Sequence, residues 1–272
     1  MNIKNINLWN AVPGHCEEEP GIRVYVPVEK TSDGAIVIFP GGGYCDRADH
    51  EGAGYARFFT EKGITCFVVD YRVKPHKFPC QLLDARRSIK FVRYYAGEYG
   101  IDKNKIAVMG SSAGGHLAAL CSTYFKDIDI EFQIDDIEKE NYIPNAQILC
   151  YPVIRIIGRE IAHISSGEIL LGEKHAWIGE ELEPDRLVSS NTPPAFIWHT
   201  ASDDGVSVLN SYVYAKNLKK FNIPTEMHIF PEGRHGLGLC DKIKNGDVDE
   251  KILAHTGQWA HLLFTWLKYI GF

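Results

Sequence analysis

No CxxC pair occurs among the cysteines at 16, 45, 66, 80, 121, 150 and 240, and their number is odd. A disulfide framework and a paired-cysteine zinc site are therefore not indicated. Reduced, buried thiols are expected instead, with Cys66 and Cys150 inside apolar runs. HExxH and closely spaced histidine clusters are missing too, so neither a metal nor an organic cofactor is expected. No stretch approaches the ~18 apolar residues of a membrane span. Residues 1–7 (Met-Asn-Ile-Lys-Asn-Ile-Asn) lack the apolar core of a secretory signal, which points to a cytoplasmic protein with no membrane contact. Lys and Arg total 29 against 35 Asp and Glu, leaving a net charge of −6 and no cationic surplus to neutralise nucleic-acid phosphates. With no Pro/Ser-rich linker and no repeat, the 272 residues are expected to form a single domain, 1–272.

What is present alternates between strand-like and helix-like segments. Residues 35–39 (Ala-Ile-Val-Ile-Phe) and 64–69 are continuously apolar, as strands buried on both faces must be. Residues 23–27 alternate like a half-exposed early strand, and 52–62 read as a helix between these strands. Residues 80–99 carry Leu82, Leu83, Ala85, Ile89, Phe91 and Val92 at helical spacing. The charges of Asp84, Arg86 and Arg87 are read as the solvated face of that helix. Strands follow at 106–109, 146–153, 195–199 and 225–230, and helices at 116–124, 207–221 and 252–270. Residues 127–140 read as an acidic surface excursion, and 154–190 as an insertion over the site. This order predicts an α/β fold, a mostly parallel doubly wound sheet flanked by helices.

Four motifs lie on the loops that follow these strands. Gly110-x-Ser112-x-Gly114 stands between a strand and a helix, the context a nucleophile elbow requires. A sharp strand-to-helix turn tolerates almost no side chain beside the serine, and the helix start aims amides and positive dipole at developing charge. Pro40-Gly41-Gly42-Gly43-Tyr44 follows a buried strand, and consecutive glycines let a chain expose N–H groups as an oxyanion hole, with Gly42, Gly43 and Ala113 as donors. A phosphate loop would need a following Lys and Ser/Thr, which are absent. Asp203 and Asp204 compete for the place of the acid, the other being free to cap the next helix. His235, between Gly233 and Gly236, is the candidate base. His228 and His261 fall in strand and helix patterns with packing or surface roles, and His163 and His175 are expected at the surface. Tyr44 and Trp177 are candidate walls of a substrate pocket.

These residues resemble the alpha/beta-hydrolase superfamily, and within it the small acetyl esterase and acetylxylan esterase-like (lipase/esterase) proteins. The resemblance runs from about Leu8 to the last helix, through PGGGY at 40–44, VDYR at 69–72, DARRSIKFVR at 84–93, GSSAGGHLA at 110–118, TPPAFIWHTASDDGV at 192–206 and FPEGRHG at 230–236. It implies an α/β-hydrolase fold and a triad of Ser112, Asp203 and His235, Asp203 standing three residues before Val206. Lipase-like relatives carry His before the glycines where this chain has Pro40, which turns the resemblance toward carbohydrate esterases. The insertion shows only short apolar stretches, whereas a lipase lid needs a wide apolar face. The expected substrate is therefore a small-molecule ester, a short (acetyl) acyl group on an alcohol such as an acetylated carbohydrate or xylo-oligosaccharide. Rival readings are a peptidase, thioesterase or longer-chain carboxylesterase on the same triad, and a catalytically silent binding protein.

Overall fold

The computed structural model describes residues 2–14, 19–128, 134–158 and 160–272. Its strands are β1 (Asn2–Asn7), β2 (Gly21–Val26), β3 (Ala35–Phe39), β4 (Thr65–Asp70), β5 (Ile106–Ser111), β6 (Ala146–Cys150), β7 (Ala195–Thr200) and β8 (Thr225–Phe230). They form one eight-stranded sheet in the order β1-β2-β4-β3-β5-β6-β7-β8. β1 and β2 join antiparallel and the remaining strands are parallel. The helices are α1 (Ala53–Glu61), α2 (Cys80–Tyr94), α3 (Ala113–Thr123), α4 (Ile164–Leu171), α5 (His175–Ile178), α6 (Pro184–Leu187), α7 (Leu209–Lys220), α8 (Glu250–Thr256) and α9 (Trp259–Tyr269). The predicted α/β-hydrolase architecture is borne out.

The two-residue period of a strand divides the core into two layers. Ala35, Val37 and Phe39 of β3 face one cluster with Leu82 and Ile89 of α2, Leu117 of α3 and Leu218 of α7. Ile36 and Ile38 face the other, with Tyr55 and Phe59 of α1 and Leu253, Trp259 and Leu263 of α8 and α9. From β3 the chain passes over one face through α1 to β4, then back over the other through α2 to β5. Each crossover can thus keep the right-handed sense, and the winding reverses between β3 and β5. A crevice opens at the carboxyl ends of strands where winding reverses, which is where the glycine loop and Ser112 emerge.

The structure corrects several details. Residues 2–7, read only for a missing leader, form edge strand β1, with Ile3 beside Tyr25 and Ile6 beside Ile22. The single closing helix is two, α8 and α9, turning at Gly257, where a Cβ would stand 2.8 Å from the Leu253 carbonyl oxygen. The helix after the elbow starts at Ala113 rather than His116, because glycines 114 and 115 form its first turn. The predicted insertion contains the short helices α4–α6, with Leu170, Leu171 and Leu182 packed into the first core layer. Residues 129–133 of the acidic excursion, and Cys16, lie outside the described residues.

The largest correction concerns Asp84, Arg86 and Arg87, which are buried rather than solvated. Both oxygens of Asp84 accept from the Arg72 guanidinium at 2.8 and 2.9 Å, and Trp9 Nε1–H adds a third donor at 2.9 Å. Arg87 grips Asp135 with two bonds of 2.6 Å and donates to the Leu8 carbonyl. Charges at helical spacing show a polar face, not what covers it; here the N-terminal segment and the excursion do.

Candidate active site

Gly110 and Gly114 are glycines because nothing larger fits. A Cβ on Gly110 would lie 2.0 Å from the Gly114 carbonyl oxygen, and one on Gly114 would lie 2.1 Å from that of Phe39. Between them Ser112 takes φ 53° and ψ −120°, a strained conformation for a residue with a side chain. Its N–H donates to the Cys150 carbonyl and its carbonyl accepts from Val153, so the strained backbone is fixed by β6 and the turn after it. Ser112 is 8% exposed.

His235 reaches this serine from the loop after β8. Its Nε2 lies 2.9 Å from Ser112 Oγ and its Nδ1 lies 2.8 Å from Asp203 Oδ2. A carboxylate only accepts, so Nδ1 carries the proton and Nε2 is left to accept from the serine hydroxyl. The loop after β7 holds Asp203 by donating the N–H groups of Gly205 and Val206 to Oδ1, at 2.9 and 2.8 Å. Burial pushes this carboxyl upward; the bonds from His199 and His235, the His235 charge and the Val206 amide outweigh it and hold the group below the usual carboxylate range. Asp204 instead accepts the backbone N–H of His235 at 3.2 Å, and so steadies the loop rather than capping α7.

The glycine loop lies against the elbow, since a Cβ on Gly41 would come within 3.2 Å of Ser112 Cβ. The Gly41 N–H is taken by Glu51 Oε2 at 2.9 Å. Gly42 and Gly43 follow at φ 130° and 63°. Among the described residues, the N–H groups of Gly42, Gly43 and Ala113 have no protein acceptor. Three unspent donors beside a serine in contact with a histidine suit charge that forms on a bound carbonyl oxygen.

The two aromatic candidates do not form the expected walls. Tyr44 is wholly buried; its hydroxyl is 2.8 Å from His116 Nδ1 and its ring packs edge-on against Tyr71. Trp177 is 85% exposed, too open to line a pocket. His163 is nearer the site than expected. It is half-buried with Nδ1 2.8 Å from Ser166 Oγ, and burial, then the neighbouring His235 charge, pushes its pKa down. The side chain of His175 lies outside the described residues. A cavity of about 580 Å3, lined by Phe58, Lys62, Leu239, Ala260, His261 and Phe264, shares no residue with the Ser112–His235–Asp203 group.

Two groups at the site escaped the sequence. His199 Nε2 lies 3.2 Å from Asp203 Oδ2 and 3.0 Å from the Val206 carbonyl, while Ser211 Oγ sits 2.8 Å from its Nδ1. Its signal was a polar residue ending an otherwise apolar strand. Glu51 gave none, since it sits among Asp46, Arg47, Asp49 and His50 and looks like surface.

Among the described residues no helix is long and apolar enough to cross a membrane, and no cluster of His, Cys, Asp and Glu has metal-binding geometry. Residues 22–218 match the BD-FAE family, a span that includes Ser112 and Asp203 and stops short of His235. Endo-1,4-beta-xylanase B of Butyrivibrio fibrisolvens is 36% identical over 86% of this chain and 38% of its own length. Acetylxylan esterase of Xylanibacter ruminicola is 31% identical over 85% of this chain and 46% of its own length. This chain thus spans less than half of either relative. Among solved structures, an acetyl ester-xyloside bifunctional hydrolase from Caldicellulosiruptor lactoaceticus superposes with a TM-score of 0.86 at 39% identity, covering 99% of this chain and 97% of that one.

Proposed function

The chain belongs to the BD-FAE family, and from that premise we propose that it is a serine esterase removing short acyl groups, acetyl above all, from polar alcohols such as sugars. The observation that carries this reading is the unbroken relay from Asp203 Oδ2 through His235 to Ser112 Oγ, beside three N–H groups without acceptors among the described residues. In the forward step His235 Nε2 takes the hydroxyl proton as Ser112 Oγ attacks the ester carbon. Asp203 holds the imidazole in the required tautomer and stabilises its positive form. Gly42, Gly43 and Ala113 receive the oxyanion, each donor contributing about 3 kcal/mol. His235 then gives the proton to the departing alkoxide, leaving an acyl group on Ser112. Water repeats the sequence to release the acid.

Acetyl as the acyl group is supported by the names of the Xylanibacter and Caldicellulosiruptor proteins, and by residues 154–190. Leu170, Leu171 and Leu182 of that segment are buried in the core rather than offered to an oil surface, and Ile164 and Trp177 are the large apolar side chains it exposes among the described residues. The test is hydrolysis of p-nitrophenyl acetate, butyrate and octanoate, followed by acetate release from acetylated xylo-oligosaccharides. Rates should fall as the acyl chain lengthens. Octanoate turned over faster than acetate would overturn the short-acyl assignment, and no turnover of any ester would overturn the esterase.

A further inference from the structure

Glu51 ends a short turn (Asp49–Glu51) before α1, yet its side chain runs inward and the residue is 3% exposed. Oε2 accepts the N–H of Gly41 at 2.9 Å, and Oε1 accepts the hydroxyl of Tyr151 at 2.6 Å. The Tyr151 hydroxyl in turn accepts the N–H of Gly238 at 3.0 Å, three residues after His235. The Tyr151 ring meets the His235 ring edge-on at 5.1 Å, and Tyr151 itself is held at φ 35°. His50 closes the same junction from above, its Nε2 3.0 Å from the Gly236 carbonyl and 3.8 Å from Glu51 Oε1. Below, the Tyr55 hydroxyl stands 3.2 Å from that of Tyr151 and 3.0 Å from Ser111 Oγ.

We infer that Glu51 is a positioning residue for the esterase reaction: one buried carboxylate ties the oxyanion loop to the loop that carries the base. The inference rests on the esterase reading above. A carboxylate so deeply buried, with no Lys or Arg bonded to it among the described residues, is costly to keep. Packing alone would be served as well by a neutral pair of similar shape. What the carboxylate supplies is two strong acceptors at a fixed separation, one for each loop. Gly41, Gly42 and Gly43 have little stiffness of their own. Fixing the Gly41 amide on Glu51 holds that stretch in the conformation that leaves the next two N–H groups free. Through Tyr151 the same side chain sets where His235 stands over Ser112. Oxyanion donors and base are therefore held in register with each other, and a slip of about 1 Å between such groups costs up to 10²-fold in rate.

The experiment compares Glu51→Gln, Tyr151→Phe and the double variant in the full chain on p-nitrophenyl acetate, with kcat expressed per active site counted by an organophosphate titration. Glu51→Gln keeps an acceptor for Gly41 but loses the one for Tyr151; kcat should fall about 10- to 100-fold, with KM within about threefold. Tyr151→Phe keeps the ring and should lose about tenfold even if Glu51→Gln folds poorly. Because both act along one path, the double variant should be no slower than Glu51→Gln alone. Values of kcat per titrated site within twofold of wild type in both single variants, with only Tm lowered, would make Glu51 structural and overturn the inference. Losses that multiply in the double variant would overturn it as well. Absence of titratable sites in the wild type would bring down the esterase reading and this inference with it.

Discussion

Two buried polar clusters stand at the carboxyl edge of the same sheet and are built from similar residues to opposite ends. Beyond β4, Asp84 accepts from Arg72 and Trp9, and Arg72 spends another donor on the Pro13 carbonyl. That network is closed, with both oxygens of its carboxylate occupied by protein donors. Beyond β5 and β7, Asp203 accepts from His235, His199 and two backbone amides, but the chain of bonds ends at Ser112 Oγ, and the amides of Gly42, Gly43 and Ala113 have no acceptor among the described residues. A closed network fixes a segment; an open one is held rigid on one side and left unsatisfied where a substrate must complete it. Under the proposed esterase reading, the difference separates a group kept for folding from one kept for chemistry, although both are acids in contact with a base.

Mutation should split the two. In the open cluster, Ser112→Ala should lower kcat on p-nitrophenyl acetate by ~10⁴-fold or more with Tm nearly unchanged; loss of Tm with retained turnover would reverse the assignment. Asp203→Asn should cost ~10⁴-fold because the imidazole loses its orienting acceptor. Asp204→Asn, whose side chain accepts the His235 amide, should stay within about tenfold, and equal losses in the two would remove the distinction. In the closed cluster, Asp84→Ala strands a buried guanidinium and should cost about 3–5 kcal/mol in denaturant unfolding. Its kcat per folded molecule should stay near wild type; a loss of stability below about 1 kcal/mol would show that the pair is not what holds the N-terminal segment.

A pH-dependent effect concerns His116, which is buried between the Tyr44 hydroxyl and the Leu182 carbonyl. Burial pushes its pKa down from 6.5 to about 4, against a smaller upward pull from the Leu182 carbonyl. The unfolded chain therefore takes a proton at this position before the folded one does. Its stabilising contribution is complete above pH 6.5 and is lost as the pH falls toward 4, by about 3 kcal/mol. The stability gap between wild type and His116→Gln should narrow by that amount between pH 7 and pH 4; an unchanged gap would mean that the folded chain takes up this proton as readily as the unfolded one, so that burial does not lower the pKa.

The sequence made the open cluster's ends legible because strand, turn and glycine chemistry are local. Ser112 and the glycine loop follow continuous apolar strands, and each needs small neighbours that can be read in one dimension. Partners that meet across the chain were hidden. Glu51 looks like one more surface acid until Tyr151, 100 residues later, is brought beside it. Asp84, Arg86 and Arg87 follow helical spacing, but what covers them is Trp9, Tyr124 and Asp135, which periodicity within α2 does not reveal. Tyr44 follows the glycines as a pocket wall would, yet at φ 62° its side chain turns into the core. The turn at Gly257 was missed because the apolar period continues through it.

The most direct test of the central claim is the mass of the protein after reaction with an organophosphate ester, followed by peptide mapping. An open relay ending at Ser112 Oγ predicts one phosphoryl group per chain on the peptide containing Ser112, with esterase activity lost in proportion and no labelling of Ser112→Ala. An adduct on another residue, or full esterase activity in a chain already carrying phosphate on Ser112, would contradict the account.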